Sequence, residues 1–148
     1  MADQPRQKEV YEIIESICSK RKREDKVKVM REHGHVWALK DVLRGLFDTT
    51  VQWNLPQGAA PPYTPTLEQS YPTSLRRENR QFKFLFKGGP GDKMNSWKRE
   101  NIFIGILEGV HPKDAELVVK MINKEKIEGL TRVAVEEAFP DLLRDSQK

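Results

Sequence analysis

Apolar side chains recur at intervals of three and four along most of this chain, and nowhere at a sustained interval of two. Such spacing gathers on one face of an α-helix and scatters over both faces of a strand, so it restricts the chain to a helical fold. Val10, Ile13, Ile14 and Ile17 set the pattern within a helix predicted over 7–20. Its acids Glu9, Glu12 and Glu15 lie toward the start and Lys20 at the end, as the helix dipole favours. A second helix, over 23–33, turns Val27 and Met30 inward and stops at Gly34. A third, over 35–47, presents Leu39, Val42, Leu43 and Leu46.

Residues 48–73 break the pattern. They hold five of the nine prolines (Pro56, Pro61, Pro62, Pro65 and Pro72), which forbid a regular helix. Yet Trp53, Leu55, Tyr63, Leu67 and Tyr71 give the segment more apolar bulk than a solvated linker needs. It reads as an extended strap laid over the helices. A peptide that docks a partner through Trp53, Tyr63 and Tyr71 is the sharper alternative.

Periodicity resumes with a helix predicted over 73–86, burying Leu75, Phe82, Leu85 and Phe86 and turning Arg76, Arg77, Arg80 and Lys83 outward. After a glycine-rich loop over 87–93, a fifth helix opens at Asn95 or Ser96 and carries Ile102, Phe103, Ile106, Leu107 and Val110. Pro112 suits the first position of a sixth, with Leu117, Val118, Met121 and Ile122 inside. Gly129 breaks the run, Thr131 caps a last helix bearing Val135, Ala138 and Phe139, and Pro140 ends it. The expectation is an all-α, compact bundle of about seven helices. One domain covers residues 1–148, divided into a three-helix part (1–47), the strap (48–73), a second helical part (74–143) and a tail (144–148).

Charged residues make up 32% of the 148 and apolar residues 37%, which suits a modest core in one domain. No apolar run approaches the ~18–20 residues that span a bilayer, and no apolar stretch near Met1 could serve as a secretion signal. The single cysteine, Cys18, has no partner for an internal disulfide, and a reducing cytosol is expected. It reads as an inert core thiol. The net charge of +4 is uneven: residues 1–47 carry 11 Lys/Arg against 8 Asp/Glu, 48–95 carry 6 against 4, and 96–148 carry 9 against 10. The basic excess therefore lies in the front two-thirds, which permits an acidic partner without demanding one.

The chemical motifs mostly argue against catalysis. Gly88-Gly-Pro-Gly-Asp-Lys93 lacks the glycine directly before the lysine, and the Ser or Thr after it, that a phosphate loop needs. No lysine has the Lys-x-Asp-Gly setting that covalent nucleotidyl transfer uses. His33, Gly34 and His35 place two imidazoles close together, but no third soft ligand is near in sequence, so no metal is expected. No nucleophile, base and stabilising group stand together, and a non-enzyme without cofactor or small-molecule substrate is expected. Two basic features remain. Lys20-Arg-Lys-Arg23 is the densest run and reads as a solvated hairpin. Arg76, Arg80 and Lys83 fall on one helical face, with Lys87 a turn beyond, as a nucleic-acid surface would have them.

Residues 95–143 resemble the end of the N-terminal DNA-binding domain of the ATP-dependent DNA ligases of T-even-type phages. Asp114, Glu116, Met121, Lys124, Gly129 and Pro140 carry the likeness. The resemblance implies a helical domain lying across the minor groove at a nick, with the turn before the last helix facing phosphate. Lys124, Gly129, Thr131 and Arg132 occupy the matching positions; Glu125, Glu128, Glu136 and Glu137 depart from a basic surface. Nothing resembles the catalytic domain that follows in those enzymes. The whole chain is also similar to a group of small uncharacterised proteins of T-even-type phages and cyanophages. Leu39-Lys-Asp-Val-Leu43, Trp53-Asn-Leu-Pro56, Pro61-Pro-Tyr63 and Val110-His-Pro-Lys113 carry that likeness. It implies a phage protein working in the cytosol of a bacterial host.

Two functions are consistent with these readings. One is a non-catalytic accessory protein that binds duplex or nicked DNA through Arg76, Arg80, Lys83, Lys124, Gly129, Thr131 and Arg132. The other is an adaptor for a phage or host protein that has lost the DNA surface and docks through Trp53, Tyr63 and Tyr71. No membrane partner is expected.

Overall fold

A computed structural model describes residues 8–55 and 61–143. The tail at 144–148, the first residue of the helix expected over 7–20, and the strap's centre including Pro56 lie outside the described residues. Among the described residues there are seven α-helices: α1 (Val10–Cys18), α2 (Arg23–Glu32), α3 (Trp37–Phe47), α4 (Leu75–Glu78), α5 (Ser96–Gly109), α6 (Pro112–Ile122) and α7 (Arg132–Ala138). Among the described residues the only strand-like pairing is an isolated antiparallel bridge between Trp53 and Phe86. The fold is all-α. The packed pairs are α2 with α7, α1 with α2, α3 with α6 and α5 with α6, around one continuous core.

The apolar stripes read from the sequence are the faces that meet. Ile13 and Ile17 of α1, Leu39 and Leu43 of α3, and Met121 and Ile122 of α6 are essentially inaccessible to solvent. Each such side chain contributes ~1.5–3 kcal/mol by leaving water. Caps set the ends. The Asn95 side chain accepts the Lys98 N–H at 2.8 Å, the His111 ring accepts the Lys113 N–H at 3.0 Å, and the Thr131 hydroxyl accepts the Ala134 N–H at 3.3 Å. Pro112 stands at the first position of α6, where its missing N–H leaves nothing unpaired.

Helix α6 ends in a left-handed residue. Lys124 has φ of 50°, and the Glu125 N–H reaches back to the Lys120 carbonyl at 2.9 Å, closing a Schellman-type turn. Gly129 has φ of 88° and lies against the end of α1, where a Cβ would stand 3.0 Å from the Cys18 carbonyl oxygen. Its own carbonyl accepts a hydrogen bond from the Lys26 ammonium of α2. The glycine at the break between α6 and α7 therefore brings α1, α2 and the turn together.

The expected helix over 73–86 is corrected. Only Leu75–Glu78 is α-helical; Asn79–Phe84 is a 3-10 segment, and the chain then opens out. Tertiary pairing overrides the helical pattern here. The Asn54 N–H donates to the Leu85 carbonyl and the Lys87 N–H to the Gln52 carbonyl, both at 2.7 Å. An α-helix through Phe86 would turn the Leu85 carbonyl and the Lys87 N–H onto its own backbone; the bridge at Phe86 turns them to residues 52–54 instead.

The Pro-rich segment contributes to the core at its start. Trp53 is only 6% exposed, donating from Nε1 to the Gly45 carbonyl at 3.2 Å and meeting Phe82 and Phe86 edge-on. A Cβ on Gly45 would sit 2.6 Å from the indole, so glycine is required there. Residues 64–73 then follow the end of α5: the Thr64 N–H reaches the Glu108 carboxylate, the Thr66 hydroxyl the Val110 carbonyl, and the Thr73 N–H the Gly109 carbonyl.

Candidate functional site

The 3-10 geometry redistributes the basic side chains of residues 76–87. At three residues per turn, positions three apart eclipse, so Arg80 and Lys83 share one edge of the segment. Both are exposed, and both line a cleft of ≈ 390 Å³ between this segment and α3. Lys87 and, from α3, Arg44 line the same cleft. Val51, Trp53, Phe82 and Phe86 form its apolar side. Among the described residues, Arg80, Lys83 and Lys87 form no ion pair, and Arg44 has only a 3.9 Å approach to Asp48.

One carboxylate, Asp41, lies on the wall. Its Oδ2 accepts from the Asn79 side-chain amide at 2.6 Å, and burial pushes its carboxyl above the ordinary range against that hydrogen bond. Four cations against one acid make the cleft electropositive, with an apolar floor. Such an arrangement suits a ligand with a phosphate and a flat apolar part. The Thr50 hydroxyl on the cleft lining donates to the Asp48 carboxylate at 2.6 Å.

Arg76 is turned away. Its guanidinium donates twice to the Lys8 carbonyl, at 2.9 and 2.7 Å, tying the entry of α1 to α4. The expected four-residue stripe is thus a group of three beside the cleft, with Arg44 joining from another element. Proximity of Arg44 could not be read from spacing, because it depends on how α3 packs on the 3-10 segment.

The residues drawn from the ligase resemblance have internal work. Lys124 is half-buried, and its ammonium donates to the Gly45 and Asp48 carbonyls at 3.0 and 2.9 Å. Burial pushes its pKa down, opposed by the Asp48 carboxylate. Arg132 donates to the Phe47 carbonyl and pairs with Glu136 at 3.7 Å. Two cations therefore meet the carbonyl end of α3, where unpaired acceptors and the helix dipole favour positive charge. Thr131 uses its hydroxyl on α7's own N–H, and Gly129 packs on Cys18. These four shape the scaffold behind the cleft. Arg99, which spacing did not single out, has a similar part: its buried guanidinium donates to the carbonyls of Asn54, Gly91 and Met94.

The aromatic set does not form a common surface. Trp53 is core. Tyr63 is half-buried against the core, and Tyr71 meets the His111 ring edge-on at 5.4 Å. The larger exposed rings are elsewhere: Trp37 is 68% exposed, beside Lys40, Phe139 and Leu142. Cys18 is half-buried and burial pushes its thiol up, which suits an unreactive role. His33 engages the Val29 carbonyl, and no cluster of three metal-ligating side chains occurs among the described residues.

A second cluster of titratable groups joins α1 to α6. Asp114 is fully buried beside buried Glu9; its Oδ1 accepts the Tyr11 N–H at 2.8 Å, while no donor among the described residues meets its Oδ2 or the Glu9 Oε2. Burial pushes the Asp114 carboxyl up to about 7, opposed by the Tyr11 N–H and helped by the neighbouring Glu9 and Glu12. Because the folded value is raised, its stabilising effect is fully present below the unfolded value near 3.8 and is lost as pH rises through about 7. The melting temperature is expected to fall from pH 5 to 8, the group accounting for on the order of 2–3 kcal/mol. Asp114→Asn keeps an acceptor for Tyr11 and is expected to flatten that slope. Thermal unfolding of both proteins across this range checks it; parallel slopes would refute the assignment.

No helix among the described residues is long and apolar enough to cross a membrane. No curated protein matches the chain. The profile of a family of unknown function, DUF6433, matches residues 13–128, a stretch that takes in most of α1, all of α2 through α6, the basic cleft and Lys124; the chain belongs to that family.

Proposed function

We propose that the protein is a non-catalytic DNA-binding accessory factor that holds phosphates at the rim of the cleft between α3 and the 3-10 segment. The observation that carries this reading is the convergence of Arg44, Arg80, Lys83 and Lys87 on one concavity, with Asp41 as the one carboxylate on it among the described residues. Phosphate neutralisation by Lys and Arg supplies most sequence-independent affinity, and three of these cations form no ion pair among the described residues. The contact set differs from the one expected from the basic stripe and the ligase resemblance together. Of the stripe, Arg80 and Lys83 stay and Arg76 leaves; Lys87 and Arg44 join, and Lys124, Gly129, Thr131 and Arg132 hold the supporting frame. The phage resemblances extend the reading to a protein acting on DNA in the cytosol of an infected bacterium.

Filter binding of labelled nicked and intact duplex tests the division of labour. Lys87→Ala is expected to weaken binding about three- to tenfold with unchanged stability, since one phosphate contact is lost. Lys124→Met is expected to lower stability and leave the affinity of the folded protein in place. The reverse pattern would return the contact surface to the α6–α7 turn.

An adaptor role is the second reading, supported by exposed Trp37 next to Phe139 and Leu142. It predicts a partner retained in high salt and released by Trp37→Ala.

A further inference from the structure

The DNA reading leaves open which form of DNA the cleft takes, and the shape of the cleft bears on it. A stripe of cations along a helix would follow successive phosphates of a backbone. Here the 3-10 turn and the withdrawal of Arg76 to the Lys8 carbonyl gather the cations around a single hollow of ≈ 390 Å³. An intact duplex presents a convex, rigid surface with its bases stacked inside. It can touch the rim but cannot fill such a hollow. An unpaired nucleotide can do both, because its base is unstacked and its phosphate lies one bond system away.

The lining matches the parts of a nucleotide. Val51 and Phe86, both half-buried, give an apolar surface for a base, and Phe86 is held upright by its edge contact with Trp53 at 6.2 Å. The Asp41–Asn79 pair on the wall is hydrogen-bonded through only one carboxylate oxygen, leaving acceptors for the amino edge of a base. Arg80, Lys83 and Lys87 at the rim meet the phosphate.

We propose that the cleft admits one unpaired nucleotide, its base against Val51 and Phe86 and its phosphate among Arg80, Lys83 and Lys87. The protein therefore prefers single-stranded or gapped DNA to intact duplex. This rests on the DNA-binding reading above.

Fluorescence anisotropy with the full chain tests it, using one labelled strand of about 15 nucleotides alone, paired, and paired with a one-nucleotide gap. The single strand and the gapped duplex are expected to bind at least about tenfold more tightly than the intact duplex. Lys83→Glu, at an exposed side chain, is expected to weaken all three, and Phe86→Ala only the first two. Equal or tighter binding of intact duplex overturns the unpaired-nucleotide proposal while leaving DNA binding standing. Failure of all three to bind overturns both. Complete displacement of the strand by about 1 mM free deoxycytidine monophosphate would make the site one for free nucleotides and also overturn the strand proposal.

Discussion

Arg80→Glu combined with Lys83→Glu is expected to weaken DNA binding by about 100-fold at low salt and leave unfolding unchanged within about 0.5 kcal/mol. The two side chains stand on one edge of the 3-10 segment, both are exposed, and neither has an ion pair to lose among the described residues. Replacement removes two of the four cations at the cleft and adds two charges that repel phosphate. Unfolding should be indifferent, because surface substitutions away from caps, buried networks and packing change stability little. Binding titrations paired with urea midpoints read both quantities. Normal DNA affinity in the double variant would mean that the cleft is not the surface.

Trp53→Ala is expected to cost about 3–5 kcal/mol, roughly a fifth or more of the stability usual for a small domain. The indole is the point where the Pro-rich segment, α3 and the 3-10 segment meet, with Gly45 beneath it and Phe82 and Phe86 at its edges. Its removal opens a cavity and takes one of the two side-chain donors from the Gly45 carbonyl, leaving the Lys124 ammonium. The cleft wall at Val51 and Phe86 should loosen with it. A midpoint shift in urea worth less than about 1 kcal/mol would show that this junction does not hold the fold together.

Much of the helical frame was legible because its signals are local. Val10 to Ile17, Leu39 to Leu46 and Leu117 to Ile122 repeat at helical spacing, and Asn95, Pro112 and Thr131 are residues whose chemistry suits a helix start. The 73–86 segment shows where local signals fail. Its apolar spacing is helical, yet Leu85 and Lys87 pair with Asn54 and Gln52, more than 30 residues away, and that pairing decides the backbone. Trp53 was legible as a bulky residue in a Pro-rich stretch, but its depth depends on Gly45, which only the packed structure brings beneath it.

The candidate site was partly visible for the same reason. Arg80 and Lys83 are close in sequence and close in space under either helix type. Arg44 and Asp41 come from α3, and no spacing rule links them to residue 80. Lys124 and Arg132 were ambiguous, since a cation in a turn looks alike in sequence whether it faces phosphate or a helix's carbonyl end. Their bonds to Gly45, Phe47 and Asp48 engage both side chains within the fold. Lys124 also adopts a left-handed conformation that a lysine seldom takes, which no sequence pattern announces.

The most direct measurement is an anisotropy titration of the pure protein against labelled single-stranded, gapped and intact DNA at about 50 and 200 mM salt. Three or four neutralised phosphates predict that affinity falls about 20- to 150-fold across that range, from a micromolar or tighter Kd at the lower salt. Binding that does not change with salt, or no binding at about 50 mM, would contradict a phosphate-holding cleft.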